Sequence, residues 1–535
     1  MSYREHAPPS PALFGYDPVR DLDEDHLCRL VERVVEESIG APPRTVGPGQ
    51  PAFDPRLPLK VLVYGYSVGI RSSRALEANC RENLPFLFLT RGDTPSYRTL
   101  CTVRTQMGAQ IEDIWFGLSG VAKELGIPRL GRIQMDISKV RADASPESVL
   151  KEEEFEAVLR ELRCILKEAE EIDAREDAEG RPGTTRLGTR VPLDQMRDIL
   201  RRVRKRRAVL KRATAAVEAE TQVPAVGGEG GSAPAEAAAV PAAEAFGEAR
   251  VGPRMLERVR AGVEAIEMAK AQEVKHISLT DPDARMMGEG REKKVCECHS
   301  YEVVTDNGHV IVGQTSSSGS DNARLLPLVE AAKPEEPAGI KAVDAHSGYY
   351  SGDGVATLLL AGIDTCIPDS NTAADLHRGQ PPGTLLARTR GSVTFIFDAL
   401  ADVYRCPQDN VLAPVQWKQA GGQRVHYYRA QHACRGCPLA GSCLSQPKAK
   451  YRTLAVSEHH DILQAARERF ADPEHVQRYH RRADAVETVF GFMRSVLGYT
   501  RWMLRGGDRV ACEGRLFKLG YQMRKVHRKW QASVC

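Results

Sequence analysis

Between Asp472 and Leu497 the chain carries seven apolar residues, Val476, Tyr479, Ala483, Val486, Phe490, Met493 and Leu497, at alternating spacings of three and four. That period lines all seven along one side of a helix, and such a stripe is stable only against a large partner surface. Asp472-Pro473 supplies a capping side chain followed by proline at the first helical position, and Gly498 ends the pattern. At about 100° per residue, Glu487 stands roughly 40° from Ala483 and 60° from Phe490 on the helical wheel. A carboxylate at the edge of a buried stripe points to where the helix meets its neighbour.

With 535 residues, 42% apolar and 27% charged, the chain has the composition of a globular protein with room for two to four domains. The N-terminus carries no basic-then-apolar leader and no run of 18 apolar residues occurs, so a cytoplasmic protein without a membrane partner is expected. Thirteen cysteines, an odd number, do not suggest a secreted disulfide framework. Net charge is only +3, but nine Lys/Arg against two acids follow Gly498. A basic tail near a carboxylate site suggests a polyanion, although it also fits a solvated helix face.

Six segments follow from pattern and punctuation. Residues 1–50, proline-rich and acidic around a short helix at Asp23–Ser38, read as a poorly ordered leader. Residues 51–126 read as an all-helical unit, with helices at Leu57–Val68, Ser72–Cys80 and Ser96–Glu112, suited to DNA binding or to a generic bundle. Residues 127–145 and 276–370 supply strands and helices of a mixed α/β sheet. The strands are Arg132–Val140, Val295–Thr305, Gly308–Thr315, Ile340–Asp344 and Ile363–Pro368, with a hairpin at Asp306-Asn307-Gly308. Residues 146–275 form a helical insertion, with helices at Pro146–Asp177, Pro192–Glu220 and Pro253–Glu273 around an Ala/Gly/Pro/Glu-rich linker, 221–249. Residues 371–455 are a cysteine-rich subdomain, and 456–535 hold the Glu487 helix and the basic C-terminal region.

Asp136 and Asp344 lie at or near the ends of two of these strands, where an ionised side chain among core residues calls for a compensating cation. With Glu487 they could form a three-carboxylate site for hard divalent ions, or they could merely cap turns. Asp281, Asp283, Asp353 and Asp484 read as turn, cap or solvent-facing acids, and Tyr479 reads as structural. Cys406, Cys434, Cys437 and Cys443 could hold a structural Zn²⁺, although their spacing also fits four reduced thiols.

Five segments, in order, resemble the bacterial insertion-sequence transposases of the DDE class, in the group called the eleven-eighty-two type. They begin Gly69-Ile-Arg-Ser-Ser-Arg, Met135-Asp136-Ile-Ser-Lys, Thr280-Asp-Pro-Asp, Val343-Asp344-Ala-His-Ser-Gly-Tyr-Tyr-Ser and Val486-Glu487-Thr-Val-Phe-Gly. Two departures stand out. Ile137-Ser138 replaces the usual Gly-Thr, and three residues rather than one separate Asp344 from its glycine. The resemblance implies a ribonuclease-H-like mixed sheet with helices on both faces, preceded by the helical N-terminal domain and interrupted by the two insertions. It also implies Asp136, Asp344 and Glu487 as ligands of two Mg²⁺ or Mn²⁺ ions. Double-stranded DNA would be the substrate at element ends and target, with a homodimer or higher assembly on it in the nucleoid. Residues expected to touch DNA are Arg71, Arg74, Arg494, Arg501 and Arg505. A non-catalytic DNA-binding descendant and a nuclease without strand transfer are the alternatives.

Overall fold

The computed structural model describes residues 19–41, 53–127, 130–178, 253–289, 294–306, 308–336 apart from 318, 339–382, 393–420 apart from 394 and 399, 423–444 and 449–534. The Pro192–Glu220 helix, the 221–249 linker and Asn307 of the hairpin turn lie outside the described residues. The chain divides into two units, 1–140 with 299–535, and 141–298.

Among the described residues of the first unit, six helices come before any strand: α1 Leu27–Ser38, α2 Arg56–Ser67, α3 Ser73–Glu82, α4 Leu84–Thr90, α5 Tyr97–Gln106 and α6 Gly108–Glu124. The sequence pattern had merged α5 and α6 and passed over α4. The chain breaks at Met107, where φ −103° and ψ 40° leave the helical region. The leader expected over 1–50 is corrected for its described part. Leu27, Cys28, Leu30, Val31, Val34 and Val35 of α1 are buried in the same core as α2 and α6.

The sheet uses β1 Arg132–Arg141, β2 Lys294–Asp306, β3 His309–Ser316, β4 Ala342–Ala345 and β5 Asp364–Cys366, in the order β3-β2-β1-β4-β5. β2 and β3 form the antiparallel hairpin expected, with Gly308 at φ +71° in its turn. β1, β4 and β5 run parallel. Neighbouring residues of β2 enter different cores. Val303 packs with the N-terminal helices, and Val304 packs with Ile133, Met135 and Val343 beneath the helices Leu325–Ala332 and Gly352–Leu360. The sheet is therefore covered on both faces.

Two long helices close the unit, α7 Pro473–Ser495 and α8 Gly507–Val534. Only the second half of the α7 stripe is deeply buried, through Val486, Phe490 and Met493, with Val489 buried beside them. α8 corrects the picture of a basic tail. Leu516, Phe517, Leu519, Met523 and Val526 are fully buried, and several of its cations face inward. Lys518 lies 4.0 Å from the centre of the Trp115 ring, Arg515 pairs with Glu112 at 3.0 Å, and Lys525 donates to the Gly308 carbonyl.

The approach of α8 to α2 is close enough to require glycine. A Cβ on Gly520 would stand 2.9 Å from the carbonyl carbon of Tyr66 and 3.0 Å from the nitrogen of Ser67. Both are backbone atoms that cannot swing aside. Gly520→Ala is expected to lower stability by about 1–3 kcal/mol, read as a reduced denaturant midpoint at unchanged m-value.

A separate sheet occupies much of the cysteine-rich segment. Its strands are β6 Ile396–Asp398, β7 Val403–Arg405, β8 Val411–Ala420, β9 Gln423–Ala430 and β10 Thr453–Ser457, all antiparallel in the order β10-β9-β8-β7-β6. The strand alternation around Gly421-Gly422 was a hairpin signal that the cysteine spacing had overshadowed.

In the second unit, helices Phe155–Ala178 and Pro253–Ala271 pack together through Val158, Leu159, Leu162, Val259 and Ile266. The chain between Ser145 and Phe155, expected to be helical, instead contains the strand Val149–Lys151, paired antiparallel with His276–Ser278. Arg285–Glu289 lies antiparallel to the opening of β2, Lys294–Cys298. Among the described residues no helix is long and apolar enough to cross a membrane.

Candidate active site

The parallel register Gln134↔Asp344 sets the geometry. Registered residues on parallel strands share a face, so Asp136, two residues beyond Gln134, lies on the face of Asp344, with Cα atoms about 8 Å apart by strand spacing and rise. Two carboxylates on one face of neighbouring strands repel, and each is compensated differently.

Asp344 is 2% exposed. Arg478 of α7 donates to its Oδ1 from Nε, at 2.9 Å, and also from Nη2, while Nη1 goes to Asp364 on β5. Both contacts with Asp344 fall on one oxygen, so Arg478 leaves Oδ2 to other partners. Burial pushes the Asp344 carboxyl above its usual range, against the pull of the guanidinium. For Asp364 burial acts the same way but is outweighed by hydrogen bonds from Arg469 and Arg478, which hold it at about 2. Asp344, Arg478, Asp364 and Arg469 thus form an alternating chain of charges.

Asp136 meets His346. The imidazole Nδ1 accepts the Gly348 N–H at 2.9 Å, which puts the ring proton on Nε2, 3.2 Å from Asp136 Oδ1. The same Nε2 is 3.6 Å from Asp321 Oδ2, whose pKa burial raises. His346 is one of the two extra residues between Asp344 and Gly348, so the departure from the family spacing was the sequence signal for it. Arg478 had no such signal, because a lone arginine on a helix reads as solvent-facing.

Glu487 is exposed on α7. Arg494, seven residues later and so nearly on the same side of the helix, donates from Nη2 to Ser138 Oγ on β1 at 2.5 Å. α7 is therefore tied to β4 through Arg478 and to β1 through Arg494, with Glu487 between the two ties. Among the described residues no group of three or more His, Cys, Asp or Glu is arranged to hold a metal ion. The donor types of Asp136, Asp344 and Glu487 suit a hard cation, and Asp344 keeps an oxygen clear of its arginine, but the three do not close on one centre here.

The arginines expected at DNA divide. Arg71 does not face outward. It donates to the carbonyls of Gly498, at 2.9 Å, and Arg501, at 3.0 Å, lies 3.4 Å from buried Glu513, and stacks over Tyr499. Arg71 joins the N-terminal helices to the segment before α8, which removes it from the DNA set. Arg74, over the Tyr97 ring at 5.2 Å, and Arg494, Arg501 and Arg505 are exposed.

The cysteines Cys406, Cys434, Cys437 and Cys443 sit at one end of the antiparallel sheet. Arg452 N–H donates to Cys434 Sγ at 3.3 Å and Leu439 N–H to Cys437 Sγ at 3.4 Å. Burial raises the Cys443 pKa, Arg452 opposes it, and the thiols of Cys434, Cys406 and Cys437 are near enough to raise it further. Thiols are a donor type that suits Zn²⁺, and two of these sulfurs receive backbone N–H bonds, but the four are not arranged as a metal-holding group here.

His475, buried on the first turn of α7 against Phe470, has an Nε2 without a hydrogen-bond partner. Burial, then Arg469 and Arg478, lowers its pKa to about 4. Below about pH 6.5 the unfolded chain takes up a proton that the folded chain refuses, so stability falls as pH drops from 6.5 towards 4. The loss should reach roughly 2–3 kcal/mol, at about 1.4 kcal/mol per pKa unit, and His475→Phe should flatten it in denaturation curves taken from pH 7 to 4.

Comparison with known families finds two matches. Residues 405–527 match a transposase DDE domain, and residues 18–106 match a second transposase domain. The first includes Glu487 and the four cysteines, the second includes Arg71 and Arg74, and Asp136 and Asp344 lie outside both. No curated protein and no solved structure matches the chain. A transposase domain matched at each end of the chain supports an insertion-sequence transposase of the DDE class.

Proposed function

We propose that the protein cleaves DNA at the ends of its own mobile element and joins the freed ends to target DNA, using Asp136, Asp344 and Glu487 to hold divalent ions, Mg²⁺ or Mn²⁺. The observation that carries this reading is the double tie of α7, through Arg478 to Asp344 and through Arg494 to Ser138, two residues from Asp136. It keeps Glu487 on a helix fixed to the two strands that bear the aspartates. The strand order β3-β2-β1-β4-β5, with both faces covered, supports a ribonuclease-H-like core. When bound, a metal pair would activate the attacking oxygen and stabilise the leaving oxygen.

The residues of the chain itself provide the positioning. His346 orients Asp136, Arg478 orients Asp344 with Oδ2 clear, and Arg494 lies where a phosphate beside Asp136 would meet a cation. Arg74, Arg501 and Arg505 would add contacts to the DNA backbone, and the motif set resembles the eleven-eighty-two type group.

Incubating the purified protein with DNA carrying the ends that flank its own gene, and Mg²⁺ or Mn²⁺, should give cleaved ends and joined products. Binding without cleavage would leave only a DNA-binding descendant, and cleavage without joining only a nuclease.

Zinc is proposed at Cys406, Cys434, Cys437 and Cys443. Protein purified without chelators should carry about one zinc per chain. Stripping the metal, or Cys437→Ser, should unfold the antiparallel sheet at lower temperature while α7 and α8 keep their helical signal. A zinc content near zero would reject the site.

A further inference from the structure

The β8–β9 ribbon has a surface that the proposed chemistry does not use. Over Val411–Ala430 the sequence has three cations, Lys418, Arg424 and Arg429, and no acid. Trp417 and His426 are cross-strand partners, stacked with ring centres 4.2 Å apart and planes 8° apart. Arg424 lies over the Trp417 ring at 4.9 Å. Trp417 is nevertheless 45% exposed and Val415 49% exposed, although a tryptophan on a sheet with a core of its own is ordinarily drawn inside.

The register decides which shape of partner fits. Trp417, Arg424 and His426 share one face of the ribbon, whereas Lys418 pairs with Val425 and so shares the opposite face with Arg429. Cations on one face only would suit a flat anionic surface. Cations on both faces suit a slot with negative charge on both walls. Duplex DNA offers this in its major groove, about 12 Å wide, which admits a two-stranded ribbon whose strands are about 5 Å apart. A second copy of the chain would have to present acids on both sides of such a slot.

We propose that the β8–β9 ribbon enters a groove of duplex DNA, with Lys418 and Arg424 meeting phosphates on opposite walls and Trp417 packed against the groove. The inference rests on the reading of the chain as a DNA-acting transposase and adds a contact surface separate from Asp136, Asp344 and Glu487. It makes the ribbon a grip on the substrate rather than part of the chemistry.

The test uses full-length, zinc-containing protein and a fluorescently labelled duplex of mixed sequence, with affinity measured across a salt series. Lys418→Glu/Arg424→Glu should weaken binding at least about tenfold near 0.1 M salt and lower the log–log salt slope by about two. Trp417→Ala should weaken binding severalfold with the slope unchanged. All these side chains are exposed or at the ribbon surface, so melting temperatures should match the native chain. Native binding with unchanged affinity and slope in the double variant would overturn the ribbon proposal alone. Failure of the native chain to bind any duplex would overturn the ribbon and the transposase reading together. A change in oligomeric state at unchanged DNA affinity would assign the surface to a second copy and overturn the DNA contact.

Discussion

Glu487→Gln protein is expected to bind element-end DNA as tightly as the native chain while end cleavage and joining fall by about 10³-fold or more. A carboxylate that holds a catalytic ion contributes several kcal/mol to the transition state, and about 4 kcal/mol corresponds to that factor. Glu487 is the most informative of the three acids because it is exposed. Its replacement should leave stability within about 0.5 kcal/mol of native, so lost activity cannot be laid to misfolding. Asp136→Asn and Asp344→Asn should lose activity to the same degree. Near-native joining by Glu487→Gln would remove it from the site and leave Asp484, one turn earlier, as the acid to test.

Arg478→Met should be the most destabilising single change near the site, at about 3–5 kcal/mol. It strands Asp344, 2% exposed, as a buried charge with no partner. Arg478→Lys should recover part of this, since an ammonium can meet one carboxylate but cannot bridge Asp344 and Asp364 as the guanidinium fork does. Combining Arg478→Met with Asp344→Asn should cost less than the sum of the two, because the neutral amide no longer needs the cation. Urea denaturation of the four proteins measures this coupling, and strict additivity would mean that the pair is not a unit.

What could be read in the sequence differed by element. The β1 and β4 strands, the β2–β3 hairpin and α7 were legible because burial on a sheet face or a helix stripe imposes a period on the residues themselves. Asp136 and Asp344 stood out as acids within apolar runs. The partners of those acids were not legible. Arg478 reaches Asp344 across 134 residues of sequence, and nothing local to either residue records the other. Arg71 misled for a related reason. It sits in a segment that resembles a DNA-binding motif, yet it is claimed by carbonyls more than 400 positions away. The basic count after Gly498 erred because a long cationic side chain can lay its stem across an aromatic ring, as Lys518 does on Trp115.

The packing of α8 against α2 and α6, with Gly520 against the Tyr66 backbone and Arg71 locked to Gly498 and Arg501, has a consequence for the order of synthesis. The N-terminal helices lack the helix that fills their core until α8 has been made. Contacts of such long sequence separation form late, and the helices they complete stay exposed meanwhile. The N-terminal helices cannot reach their final packing on a nascent chain, so a truncated translation product should be a target for proteolysis rather than a free-standing competitor for DNA.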